Sequence, residues 1–139
     1  MSAAGHRLLP HTSDCIIEAW GPDRIACLTE VIYGLLDEFS ERSDRPSSRT
    51  LPLAVGPGSD EDVLVSLLEE VIYVLDVFSV LPVRVHLGET EDGGLRGDMD
   101  VVPLEEARIT GPVPKAVSYN GLSIAQLDGS WRCQVLVDL

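Results

Sequence analysis

Positive charge is scarce in this 139-residue chain: ten basic residues face 23 acids, and Lys115 is the single lysine. The formal net charge of −13 repels phosphate backbones, whose binding relies on clustered Lys and Arg. A direct, stand-alone nucleic-acid binder is therefore not expected, and a basic protein partner or a bound cation fits better; plain solubility is the simpler reading of the same charge. Cysteine is also sparse. Cys15, Cys27 and Cys133 are far apart, odd in number and form no CxxC pair, which argues against a disulfide framework and a structural zinc site. Residues 1–10 lack the apolar core of a signal peptide, and Glu69, Glu70 and Asp76 interrupt the longest apolar stretch, so no segment is expected to span a bilayer. The expectation is a soluble, cytoplasmic protein with no membrane association. Conventional catalytic and nucleotide motifs are missing too: there is no GxxxxGK[ST], no GxGxxG after a strand, no GxSxG and no HExxH.

What is present suits one compact domain over residues 1–139, with 45% hydrophobic residues and a length near the commonest domain size. Cys15 to Trp20 reads as a strand ending at Gly21-Pro22. Asp23 can cap a helix over about 24–39, because Ile25, Leu28, Ile32, Leu35, Leu36 and Phe39 form one stripe. Residues 41–48 are polar and read as a loop; a short strand is expected at Leu51–Val55. Ser59 or Asp60 caps a second helix with a broad apolar face from Val63 to Phe78. The Gly56-Pro57-Gly58-Ser59 turn ahead of it could hold an anion or simply cap the helix. Pro82 closes the helical region, and Val83–Leu87 alternates as a strand.

Beyond Glu89 every signal is β: a strand at Leu95–Val102, then Lys115–Tyr119, Leu122–Leu127 and Trp131–Val137, with Asn120-Gly121 and Asp128-Gly129 as hairpin turns. Glu30-Val31-Ile32-Tyr33 recurs as Glu70-Val71-Ile72-Tyr73, which fits two helices side by side over a sheet or two amphipathic helices that merely resemble each other. The predicted class is α+β, a two-layer sandwich with two main helices on a largely antiparallel sheet.

Two distant points carry candidate chemistry. His11-Thr12-Ser13-Asp14 precedes the first expected strand, where Thr and Asp could also just bond the local backbone. On a period-2 strand, Asp138 shares a face with Arg132, Gln134 and Leu136, away from Cys133, Val135 and Val137. If the first and last strands are neighbours, two carboxylates converge, which implies a hard metal ion, a shared proton or a basic partner. Lys115 stands out as the one compact ammonium in a chain that otherwise uses arginine.

Five segments in order resemble the archease family: His11-Thr12-Ser13-Asp14 with Ala19-Trp20-Gly21, the helix Leu64–Asp76, Gly97-Asp98, Lys115-Ala116-Val117-Ser118-Tyr119-Asn120, and Gly129-Ser130-Trp131 leading to Val137-Asp138-Leu139. The family counterparts are a His-Thr-Ala-Asp segment, a leucine-rich LLxxWLxELLYxxD helix, a Gly-Glu pair and a Lys-Ala-Val-Thr-Tyr-His strand. The resemblance implies a protein cofactor rather than an enzyme. It would be an activator of an RtcB-type RNA ligase in tRNA splicing or RNA repair, promoting guanylylation of the ligase's active-site histidine. It also implies a divalent cation (Ca²⁺, Mg²⁺ or Mn²⁺) on Asp14 and Asp138, with the Leu139 carboxylate as a further oxygen ligand. Lys115 would act in an activating role nearby, and His11 would orient Asp14 or reach the partner. Departures include Ser13 for Ala, Ser118 for Thr, no Trp in the second helix, and Asn120 for His, which removes a titratable group. Two other classes remain: a stand-alone metal-dependent phosphohydrolase using Asp14 and Asp138, and a generic chaperone or scaffold module.

Overall fold

The computed structural model describes residues 3–10, 14–41 and 46–139. In chain order its elements are β1 (Gly5–Pro10), β2 (Asp14–Gly21), α1 (Arg24–Phe39), β3 (Ser40–Glu41), β4 (Arg49–Val55), α2 (Asp60–Phe78), β5 (Val80–Glu89), β6 (Leu95–Pro103), β7 (Arg108–Ile109), β8 (Ala116–Leu127) and β9 (Ser130–Asp138). A single 3₁₀ turn, Leu104–Glu106, separates β6 from β7. The architecture is the expected α+β one: every strand pairing among the described residues is antiparallel. The strands divide into a four-stranded sheet, β1-β2-β9-β8, a three-stranded sheet, β4-β6-β5, and a short β3-β7 ribbon.

Each helix begins and ends for a local reason. The Asp23 side chain accepts from the Ala26 amide at 2.7 Å, satisfying an amide of the first turn of α1. At the other end, the Ser40 hydroxyl donates to the Leu36 carbonyl at 2.6 Å. Ser59 accepts from the Asp62 amide at 3.1 Å, and Asp60, Glu61 and Asp62 crowd the first turn of α2, where the helix dipole favours negative charge. The Gly56–Ser59 segment is thus a capping turn. Ser79, in the left-handed region at φ 52°, stops α2 and turns the chain into β5. Arg24 joins the two helix starts through Asp60 at 3.1 Å.

Burial follows the helical stripes. Leu28, Val31, Ile32, Leu35, Leu36 and Phe39 of α1 are fully buried, as are Leu64, Leu67, Leu68 and Val71 of α2. These side chains join Cys15, Ile17, Val135 and Val137 of the four-stranded sheet, and Met99 and Val101 of the three-stranded one, in one continuous core. Helix α1 lies on β1, β2 and β9 and reaches β5, while α2 lies on β8, β4 and β5. Gly34 lets α1 approach β2: a Cβ there would sit 2.7 Å from Ile17 Cγ2. Burying each such leucine is worth about 1.5–3 kcal/mol, so this shared interior holds both sheets to the helices.

Three local expectations change. Asn120-Gly121 is not a hairpin turn. It lies inside β8, which pairs with β9 on both sides of an irregularity between Ser118 and Ser123. Gly121 takes φ 75° there, a bulge that lets one long strand stay on one partner. Asp128-Gly129, with φ 50° and 75°, is the real hairpin turn. Pro82 does not end the region but lies in β5 opposite Val101, just before a register shift. Strand β5 lies at the edge of its sheet, the place where a strand tolerates a proline, which has no amide to donate. Strand β1 was not foreseen, and residues 42–45 of the expected loop lie outside the described residues. No helix among the described residues is long and apolar enough to cross a membrane.

Candidate functional site at one end of the four-stranded sheet

The sheet order places β2 and β9 side by side, so the two ends of the sequence meet. Asp14 is the register partner of Asp138, and Ala116 pairs with Asp138 from the other side. Alternation then fixes the faces. Cys15, Ile17 and Ala19 of β2 and Cys133, Val135 and Val137 of β9 are buried toward the helices. Asp14, Ile16 and Glu18, with Gln134, Leu136 and Asp138, occupy the opposite, outer face. Directly opposite side chains in an antiparallel pair have Cβ atoms about 4.5–5.5 Å apart, so the two carboxylates share one small patch. Asp138 is exposed and Asp14 is half-buried.

Asp14, Ile16, Asn120, Gly121, Gln134 and Leu136 line a depression of about 330 Å³. The β8 bulge forms its wall: Gln134 Nε2 donates to the Gly121 carbonyl at 3.3 Å, and the Asn120 amide donates to Ser118 Oγ at 3.0 Å. Asn120 was singled out in the sequence only as a departure. The bulge brings it to the depression beside Asp14, which no local pattern announces because the irregularity depends on pairing with β9.

Lys115 precedes β8, and its amide donates to the Asp138 carbonyl at 2.9 Å. The backbone thus anchors it one position from the carboxylate pair. The residue also borders a separate groove along α2. Leu139 follows Asp138 and packs against the core. His11, Thr12 and Ser13 lie outside the described residues.

Chemically, two like charges directly opposite on a sheet disfavour each other by roughly 0.2–1 kcal/mol. A shared hard cation, a shared proton or a cationic partner removes that cost. The donors available here, two carboxylates and neighbouring main-chain oxygens, suit an oxygen-preferring divalent cation.

A second polar cluster was missed by the sequence reading. His86, Asp98 and Asp100 present ligand atoms within 4.8 Å of one another on the three-stranded sheet. Their convergence depends on the β5–β6 register, in which His86 faces Asp98. Asp100 is already engaged, accepting from Thr50 at 2.9 Å and from Arg84 at 3.1 Å. These bonds hold its carboxyl below the usual range.

The profile of the Archease protein family matches residues 6–139. The chain belongs to the archease family. It is 36% identical to a probable protein archease of Mycobacterium tuberculosis over 138 residues, 99% of this chain and 76% of that relative. It is also 25% identical to a protein archease of Methanosarcina barkeri, with both chains fully covered. Among solved structures, protein 1598 of Methanobacterium thermoautotrophicum superposes with TM-score 0.79 at 20% identity, covering 97% of this chain and 99% of that one. An archease of Thermotoga maritima, described as a possible chaperone, gives TM-score 0.59 at 16% identity, with 94% of each chain covered. At these identities the two structures speak for the archease fold alone.

Proposed function

We propose that this archease acts as a protein cofactor of an RtcB-type RNA ligase, promoting guanylylation of the ligase rather than catalysing a reaction itself. The observation that carries this reading is the Asp14–Asp138 register pair, the two residues that the resemblance marks as cation ligands. Asp14 and Asp138 bind a divalent cation, Ca²⁺, Mg²⁺ or Mn²⁺, with Leu139 supplying a further oxygen. Bound there, the cation supplies positive charge for phosphate oxygens. Lys115, tied to the Asp138 backbone, brings its ammonium to the same sheet end and meets phosphate charge on the partner. Asn120 adds an amide donor at the rim of the depression. His11 orients Asp14 or reaches the partner.

The net charge of −13 supports a basic protein partner over free RNA. The phosphohydrolase alternative is less well supported. Among the described residues, those lining the depression with Asp14 include Ile16, Asn120, Gln134 and Leu136, none of them a general base, and two carboxylates with one Lys are sparse for metal hydrolysis. The setting is the cytoplasm, in tRNA splicing or RNA repair. A ligation assay with the purified ligase of the same genome tests the proposal: added archease should raise turnover of 3′-phosphate RNA ends. No change in ligase activity at any ratio would contradict it.

A further inference from the structure

A groove of about 690 Å³ runs between the C-terminal half of α2 and the segment entering β8. Its apolar lining includes Ile72, Leu104 and Val117, and Glu69 and Asp76 contribute acids from α2. Over its 19 residues α2 carries six acids, Asp60, Glu61, Asp62, Glu69, Glu70 and Asp76, and no basic residue. Lys115 is the one base lining the groove. The same helix exposes three large apolar side chains: Tyr73 at 53%, Val77 at 52% and Phe78 at 45%.

The repeated Glu-Val-Ile-Tyr segment sharpens the point. In α1 the Tyr33 hydroxyl accepts from the Val85 amide at 3.1 Å and ties the helix to β5. Its counterpart Tyr73 instead stands in the open, edge-on to Phe78 with ring centroids 6.1 Å apart. A further contact indicates what these rings accept: the Arg49 guanidinium lies 5.8 Å from the Phe78 centroid, an arginine–aromatic stack.

We infer that this groove docks an arginine-bearing, amphipathic segment of the partner protein. Acids beside an exposed aromatic recognise a cation on an apolar scaffold, and arginine satisfies both by pairing with Glu69 or Asp76 and stacking on Tyr73, as Arg49 does on Phe78. A second copy of this chain would bring the same acids face to face, and a nucleic acid would bring phosphates. Because Lys115 both borders the groove and bonds the Asp138 backbone, a segment seated there reaches the end of the sheet whose outer face carries the carboxylate pair. The inference rests on the ligase-cofactor reading and names where that partner binds.

Titration calorimetry with the purified cognate ligase tests it, using Tyr73→Ala and a Glu69→Lys/Asp76→Lys double variant. All three positions are exposed, so folding is retained and is checked by thermal melts. The expected result is a Kd raised at least tenfold in each variant, with full stimulation of guanylylation recovered at saturating concentration. Asp138→Asn should behave oppositely, binding normally and failing to stimulate. If the wild-type chain binds and stimulates the ligase but both α2 variants keep a Kd within twofold, the docking inference is overturned and the cofactor reading stands. If the wild-type chain neither binds nor stimulates, both fall. A wild-type dimer in sedimentation that Tyr73→Ala abolishes would make a second copy the occupant and also overturn the inference.

Discussion

Asp14 and Asp138 stand directly opposite each other on β2 and β9, two carboxylates from the two ends of the sequence on one outer patch. A cation held between them would stabilise the folded state. At 100 times its dissociation constant a ligand adds about 2.7 kcal/mol, roughly 8–10 °C in Tm for a chain of this size. Calorimetry in excess Ca²⁺, Mg²⁺ or Mn²⁺ should show that shift in the wild-type chain and not in Asp138→Asn. In EDTA the order reverses: Asp138→Asn should be more stable by about 0.2–1 kcal/mol, because it relieves like-charge opposition. Equal cation shifts in both proteins would remove the pair from consideration as the binding site.

Gly97 illustrates a residue visible in the sequence only as part of a family-like Gly97-Asp98 pair. In the fold it faces Leu87 on β5 and Leu53 on β4, and a Cβ would fall 1.8 Å from the His86 carbonyl oxygen. Gly97→Ala must push β5 away from β6, at an expected cost of about 3 kcal/mol or more. Gly88 is the control on the neighbouring strand, since its Cβ would meet nothing closer than 3.7 Å; Gly88→Ala should fall within about 1 kcal/mol of wild type. Urea midpoints of the two variants decide the matter.

Cys15 gives the chain an alkaline dependence. Burial first, and then the bond to Glu38, push its thiol from 9.0 up to about 12. A folded-state pKa above the unfolded one means the contribution is complete below pH 9 and is lost between 9 and 12. There the unfolded chain gives up a proton that the folded chain keeps, so stability falls by up to about 1.4 kcal/mol per pH unit. Cys133, buried against Cys27 with the sulfurs 3.6 Å apart, is pushed the same way. Urea denaturation from pH 8 to 10.5 should therefore give a shallower decline for Cys15→Ala than for wild type. Parallel curves would reject the assignment.

The helices were legible because their signals are local: the stripe from Ile25 to Phe39, the Asp23 and Ser59 caps, and the apolar face of α2 all fall within a few turns. Face assignment along β9 was legible for the same reason, since alternation alone separates Asp138 from Val137. Pairing was not. The adjacency of β2 and β9, the meeting of His86 with Asp98, and the nearness of the Cys27 and Cys133 sulfurs are set by long-range register. Asn120-Gly121 was misread because its turn chemistry is real but its flanking segments share β9 rather than pairing with each other. Strand β1 escaped notice because Gly5–Pro10 has little alternation, and its edge position demands none on the exposed side.

Single-turnover guanylylation of the cognate ligase, followed with and without the archease, tests the central claim most directly. The wild-type chain should accelerate formation of the ligase–guanylate, while Asp14→Ala and Asp138→Ala, folded and still binding the ligase, should lose at least nine-tenths of the acceleration. Stimulation undiminished in both variants would contradict the account.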